Sequence, residues 1–293
     1  VTDSTMPSLT LTDALPSDAE ELRLDRPEGP LSAVRIRART EDPEDSPVAL
    51  LVPGYTGSKE DFYPVLGPLA DLGFTVLAYS QRGQFHSEGP VGSEPPVDGN
   101  GYDLQTLGAD VHWVLDAIGV QKQVHLLGHS FGGVVGIEAV LRDPSRFASF
   151  TMWNSGPRSR GGRFEDLDAI RTGGSEGLWR KGHPDWDEAS SDPVQRWFHD
   201  RMLATSSTQL LAAAHILDEQ PDRTDELAAT GVSLLVSHGD ADDAWPLDWQ
   251  REMAERAGGQ YVVIADAGHS AQVDQPEESA RVLTSFWRTA AAA

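Results

Sequence analysis

The feature that most constrains this chain is a strand-like run, Gln123–Leu127, passing directly into Gly128-His129-Ser130-Phe131-Gly132 and the apolar helical pattern Phe131–Arg142. A strand that turns into a helix so abruptly strains the backbone at the apex. Small residues two positions before and after Ser130 let the two elements approach without side-chain clashes. In that context G-x-S-x-G presents a serine hydroxyl at the carboxyl edge of a sheet and at the positive end of a helix, the setting of a nucleophile. The pentapeptide alone is short enough to recur by chance, and Gly173-Gly174-Ser175-Glu176-Gly177 also fits it. No strand-like run precedes Ser175, so Ser175 is expected in an exposed turn and Ser130 at a strand–helix elbow.

Around this elbow, short β-rich runs alternate with helical patterns, which predicts an α/β fold: a mostly parallel sheet with helices on both faces. The opening reads as antiparallel, with Glu21–Arg26 and Leu31–Arg39 flanking the turn Pro27-Glu28-Gly29-Pro30. Strands are then expected at Pro47–Val52, Phe74–Tyr79, Phe147–Trp153, Val232–Ser237 and Tyr261–Ala265. Helices are expected at Asp61–Leu72, Gly101–Ile118, Leu247–Arg256 and Pro276–Arg288. Between Ser155 and His215 the alternation stops, and Gly, Arg, acidic residues and Trp179, Trp186 and Trp197 crowd together without a strand. This segment is read as an inserted, mainly helical cap. The domain organisation is therefore a core of residues 1–154 and 216–293 with a cap at 155–215.

A serine hydroxyl barely ionises at neutral pH and needs a base within hydrogen-bond reach. Of nine histidines, His112 and His215 sit in helical patterns, His125 in a strand, and His183 and His199 in the cap. His269 differs: it follows the strand Tyr261–Ala265 in the short loop Asp266-Ala267-Gly268-His269-Ser270. Loops after the carboxyl ends of parallel strands gather catalytic groups. A carboxylate is also needed to hold the imidazole in one tautomer, and Asp240, Asp242 and Asp243 all lie just past the strand Val232–Ser237. Residue chemistry leaves the three open. A calcium loop is the competing reading of this acidic stretch. Ala244 at the fifth position and no glycine at the sixth argue against it.

The bulk composition narrows the partners. Lys+Arg 23 against Asp+Glu 46 leaves a formal charge of −23, a field that repels nucleic-acid phosphates and anionic lipid. With no cysteine, disulfides, thiolate catalysis and cysteine-based zinc sites are excluded. Val1–Glu20 is polar and acidic without a basic, apolar leader pattern, and no apolar stretch reaches membrane-spanning length, so a cytoplasmic protein is expected.

At this point the chain resembles the α/β-hydrolase superfamily over most of its length outside the cap. The matching segments are Val52-Pro53-Gly54-Tyr55-Thr56-Gly57-Ser58, Ser80-Gln81-Arg82-Gly83 with Ser87-Glu88-Gly89, the Ser130 elbow, Gly239-Asp240-Ala241-Asp242, and Gly268-His269 with Gln275-Pro276-Glu277. The order nucleophile, acid, histidine is also that of the superfamily. The resemblance implies Asp242 as the acid, because Gly239, Asp242 and Pro246 reproduce the family spacing. It further implies an oxyanion hole from the backbone N–H groups of Tyr55 and Phe131. Two segments depart from the family pattern: Pro53-Gly54 stands where His-Gly is common, and Gln84-Phe85 where His-Gly follows Arg-Gly. Both bear on loops near the pocket mouth, and so on substrate range.

The resulting expectation is a serine hydrolase without metal or organic cofactor, cleaving a carboxylic ester or lactone of a small molecule with an apolar part. Trp153, Trp179 and Trp186 are the candidate substrate contacts. The alternatives are C–C or amide hydrolysis with the same triad, and a non-catalytic binding protein that keeps the fold.

Overall fold

The computed structural model describes residues 11–90, 101–162, 164–189 and 191–291. Among these described residues eight strands form one sheet: β1 (Glu20–Leu24), β2 (Leu31–Ile36), β3 (Val48–Val52), β4 (Thr75–Tyr79), β5 (Val124–His129), β6 (Phe147–Trp153), β7 (Ser233–Gly239) and β8 (Gln260–Ile264). Their order is β1-β2-β4-β3-β5-β6-β7-β8. β1 with β2 and β2 with β4 are antiparallel, and every later pair is parallel. This is the expected fold class, and the antiparallel opening is where the sequence placed it.

The central strands are largely buried and mostly apolar because helices cover both faces. All five residues of β3 and all six of β5 are buried. On one face, Leu50, Val52, Leu126 and Met152 pack with Val111 and Val114 of α2 (Leu104–Ala117), Val135 of α3 (Phe131–Arg142) and Met253 of α8 (Leu247–Ala257). On the other, Leu51, Leu127, Trp153 and Leu235 meet Leu66 and Leu69 of α1 (Tyr63–Asp71) and Leu283 and Trp287 of α10 (Pro276–Ala291). The helix expected from Asp61 begins instead with a 3₁₀ turn, Lys59–Phe62, before α1.

Among the described residues four helices lie between β6 and β7: α4 (Phe164–Gly182), α5 (Pro193–Leu203), α6 (Ser207–Glu219) and α7 (Thr224–Ala229). Residue 215, the expected end of the cap, falls inside α6. Leu167, Ile170, Leu178, Leu210, Leu211 and Ala214 give this insertion an apolar cluster of its own, with Tyr55 of the core packed against it. A short helix, α9 (Ala271–Asp274), follows β8.

The strand order creates the site. From β3 the chain adds β4 on one side and β5 on the other, so the carboxyl ends of β3 and β5 flank a topological switch point, where parallel sheets leave a crevice.

Candidate active site

Ser130 occupies the apex between β5 and α3 with φ 54° and ψ −120°. A side chain in that region is strained, and its neighbours show what holds it there. A Cβ at Gly128 would run into the Gly132 carbonyl, and one at Gly132 into the Val52 carbonyl. Strand, helix and the end of β3 thus meet in space that admits only hydrogen. The Ser130 N–H is tied to the Trp153 carbonyl at 2.9 Å, and Ser155 Oγ donates to the Ser130 carbonyl at 2.8 Å.

His269 Nε2 lies 3.0 Å from Ser130 Oγ. Its Nδ1 lies 2.8 Å from Asp242 Oδ1. A carboxylate only accepts, so Nδ1 carries the proton and Nε2 is the free base facing the serine hydroxyl. The Asp242 side chain is wholly buried, whereas His269 is 33% exposed. Burial pushes the Asp242 carboxyl up, but the hydrogen bond and charge of His269, the Ala244 N–H and the Asn154 amide outweigh it and leave the group below its usual range. Asp242 is therefore an anion beneath the imidazole. Asp240 is exposed and accepts from the Ala267 N–H at 3.3 Å, while Asp243 is exposed and offers its carbonyl to Arg160.

The loops carrying these groups are joined at Gly239, where a Cβ would collide with the Ala267 and Gly268 carbonyls. The end of β7 can approach the His269 loop only because that position is glycine. Sequence reasoning missed three further residues at this edge. Asn154, at the end of β6 with φ 48°, donates to Asp242 Oδ2 at 3.2 Å and to the Gly268 carbonyl at 2.9 Å. His129 Nε2 donates to the His269 carbonyl at 2.7 Å; burial chiefly lowers its pKa to about 4, so it stays neutral. Gln84 Nε2 donates to the carbonyls of Gly54 and Tyr55 at 2.7 and 3.3 Å. The available signal was position: a polar residue at the end of an apolar strand or beside the elbow.

Phe131 is the first residue of α3, where a backbone N–H has no partner within the helix. Tyr55 follows Gly54 on the loop after β3, and a Cβ on Gly54 would stand 3.1 Å from Ser130 Cβ. The loop and the elbow therefore face each other across the crevice. Trp245 flanks His269 with ring centroids 6.3 Å apart.

The tryptophans expected to touch substrate are not gathered here. Trp153 requires correction: it is fully buried, and its indole N–H donates to Gln272 Oε1 at 2.9 Å. The alternation of β6 turns it into the core beneath the sheet, beside α1 and α10. Trp179 and Trp186 pack within the cap, edge to face at 5.2 Å, with His183 stacked on Trp179 and His199 beside both. Ser175 also departs from expectation. It is buried in α4 just after the kink at Gly174, and its Oγ donates to the Thr205 carbonyl. Among the described residues no group of three or more His, Asp or Glu is arranged to hold a metal ion, and no helix is long and apolar enough to cross a membrane.

Comparison with known proteins bears on the family and the fold. Residues 49–282 match the sequence model of a family described as "Alpha/beta hydrolase family". Among curated proteins, the "Putative carbamate hydrolase RutD" of Variovorax paradoxus is 36% identical over 113 residues, 39% of this chain and 40% of that protein. The chain thus spans about two fifths of that relative. The "3-oxoadipate enol-lactonase 1" of Acinetobacter baylyi is 25% identical over 220 residues, 73% of this chain and 78% of the relative. Among solved structures, the enol-lactonase of Burkholderia xenovorans superposes with a TM-score of 0.71 at 23% identity, covering 88% of this chain and 97% of that one. A thermophilic esterase from Thermogutta terrifontis gives 0.72 at 21% identity, covering 92% and 99%. At such identities the structural likeness speaks to the fold alone.

Proposed function

Because the chain belongs to the alpha/beta hydrolase family, we propose that it is a serine hydrolase that cleaves a carboxylic ester, lactones included, through an acyl-enzyme on Ser130. One observation carries this reading: a hydroxyl, an imidazole and a buried carboxylate in hydrogen-bonded series, 3.0 and 2.8 Å apart, at the switch point of the sheet.

In the proposed reaction Ser130 Oγ attacks the ester carbonyl carbon while His269 Nε2 takes the hydroxyl proton. Asp242 stabilises the imidazolium that forms. The carbonyl oxygen becomes an oxyanion, received by the N–H groups of Phe131 and Tyr55, donors of the kind whose loss costs about 10²–10³ in turnover. Collapse expels the alcohol, which takes the proton from His269. Water, deprotonated by the same nitrogen, then attacks the acyl group; the acid leaves and Ser130 regains its proton. Cleavage of an amide-like bond is the second reading, favoured by the 113-residue likeness to a carbamate hydrolase.

The test is a panel of p-nitrophenyl esters of graded chain length, a lactone and a carbamate, assayed with wild type and Ser130→Ala, alongside fluorophosphonate labelling. Ester turnover and labelling that both vanish in the variant support the reading. Wild-type protein that neither turns over any ester nor takes the label rules it out.

A further inference from the structure

We propose that Arg201, on cap helix α5, is a positioning residue for the oxyanion loop Gly54–Ser58, so that cap and acyl site form one unit. The inference rests on the reading of Ser130 as nucleophile and of this loop as the source of an oxyanion donor.

Arg201 Nη1 donates to Asp61 Oδ1 at 2.5 Å and to Ser58 Oγ at 3.3 Å. The two side chains of the ion pair are only 9% and 13% exposed, and the guanidinium lies over the rings of Trp197 and Phe198 at 5.1 and 4.9 Å. The other oxygen of Asp61 accepts the Ser58 N–H at 3.2 Å and fills the space where a Cβ on Gly57 would stand. Gly57 N–H in turn closes the loop onto the Gly54 carbonyl at 3.3 Å. One carboxylate is thus shared between the cap and the turn that carries Tyr55. Without Arg201 that carboxylate is a buried, uncompensated charge that must move toward water, and the turn moves with it.

The same stretch of cap braces the loop from its other side. Ser206 N–H donates to the Gly83 carbonyl at 2.7 Å, and Phe85 N–H to Thr205 Oγ1 at 3.3 Å. Thr205 Oγ1 donates onward to the Arg201 carbonyl at 2.9 Å. Between Gly83 and Phe85, Gln84 holds the carbonyls of Gly54 and Tyr55. Phe85 adopts φ 42° and sets its ring 5.9 Å from Trp197. A phenylalanine persists in the left-handed region only where its surroundings dictate it, and here part of the surroundings is the cap. Arg201–Ser206 therefore grips both the Gly54–Ser58 turn and the glutamine that fixes its carbonyls.

An oxyanion donor works by being aimed before the charge develops, and a displacement of about 1 Å costs about 10² in rate. Arg201→Met and Asp61→Asn are therefore expected to lower kcat on p-nitrophenyl acetate about 10- to 100-fold, with KM within about threefold of wild type. Fluorophosphonate labelling of Ser130 should slow in parallel. The double variant should be no worse than the poorer single, since both remove one link. Should Arg201→Met fail to fold, Arg201→Lys carries the test: it keeps charge and stem but not the planar fork. A purely structural role would lower Tm and leave kcat of the folded enzyme at the wild-type value, which overturns the proposal. Wild type that neither hydrolyses the ester nor takes the label overturns the reading of the site as well.

Discussion

Asn154 Nδ2 lies 3.2 Å from Asp242 Oδ2 and 2.9 Å from the Gly268 carbonyl, joining the carboxylate to the loop that carries the imidazole. Asn154 is fully buried at φ 48°, a conformation that asparagine tolerates better than most residues. Asn154→Ala removes both hydrogen bonds and leaves two acceptors short of a donor. It should cost about 1–3 kcal/mol of stability and lower kcat about tenfold, read from urea midpoints and ester kinetics. Unchanged kinetics would show that Asp242 and His269 hold their geometry without it.

On the proposed mechanism Ser130→Ala and His269→Ala should each lower kcat by about 10⁶, because members of such a triad act as a unit. Far-UV circular dichroism should be unaltered, since neither change opens a large cavity. A Ser130→Ala protein that still forms a covalent adduct would move the nucleophile elsewhere. Ser175→Ala should retain full turnover, because Ser175 Oγ is bonded to the Thr205 carbonyl and to Ser207 within the cap.

Asp242→Asn should cost about 10⁴ in kcat. The amide can present a donor toward Nδ1, which favours the tautomer with its proton on Nε2, where the serine needs a base. Asp240→Asn and Asp243→Asn should stay within several-fold of wild type, because both residues are exposed and neither touches the imidazole. A crippled Asp240 or Asp243 variant beside an active Asp242→Asn would reverse the assignment.

Stability should fall in mildly acidic solution. Burial lowers the pKa of His125 and of His129 from 6.5 to about 4. Between those values the unfolded chain binds the protons that the native state refuses, so stability rises with pH across that window. The contribution is complete above about 6.5 and gone below about 4, with an upper bound on the order of 3 kcal/mol for each histidine. The depressed carboxyls of Asp242 and Glu60 add loss in the same direction at lower pH. Urea midpoints at pH 7 and pH 4.5 test this, with His125→Phe showing a shallower fall. A wild-type midpoint that does not change over that range would refute it.

Trp153→Phe should reduce stability by about 1–3 kcal/mol through lost packing and the lost bond to Gln272. Relative rates across the ester panel should not change. A shifted chain-length preference would mean that the β6 core shapes the pocket more directly than its burial implies.

The elbow, the strand–helix alternation and the break in pattern between β6 and β7 were legible in the chain itself, because each is a local property: apolar period, the space around Gly128 and Gly132, and the absence of strand-forming runs. His269 was legible for a related reason, a loop directly after a parallel strand. What folding alone decided is which distant groups meet. Residue chemistry left Asp240, Asp242 and Asp243 open, and only the spacing shared with the resembled family pointed to Asp242; no local rule announces that Asn154, His129 and Arg201 reach the same edge, for those contacts span 88, 140 and 140 positions of sequence. Trp153 shows the converse: its type suited a substrate wall, and only the pleat of β6 determined that it faces the core. Local propensity acts over a few residues, whereas a site at a sheet edge is assembled by strand order and register, which belong to the whole fold.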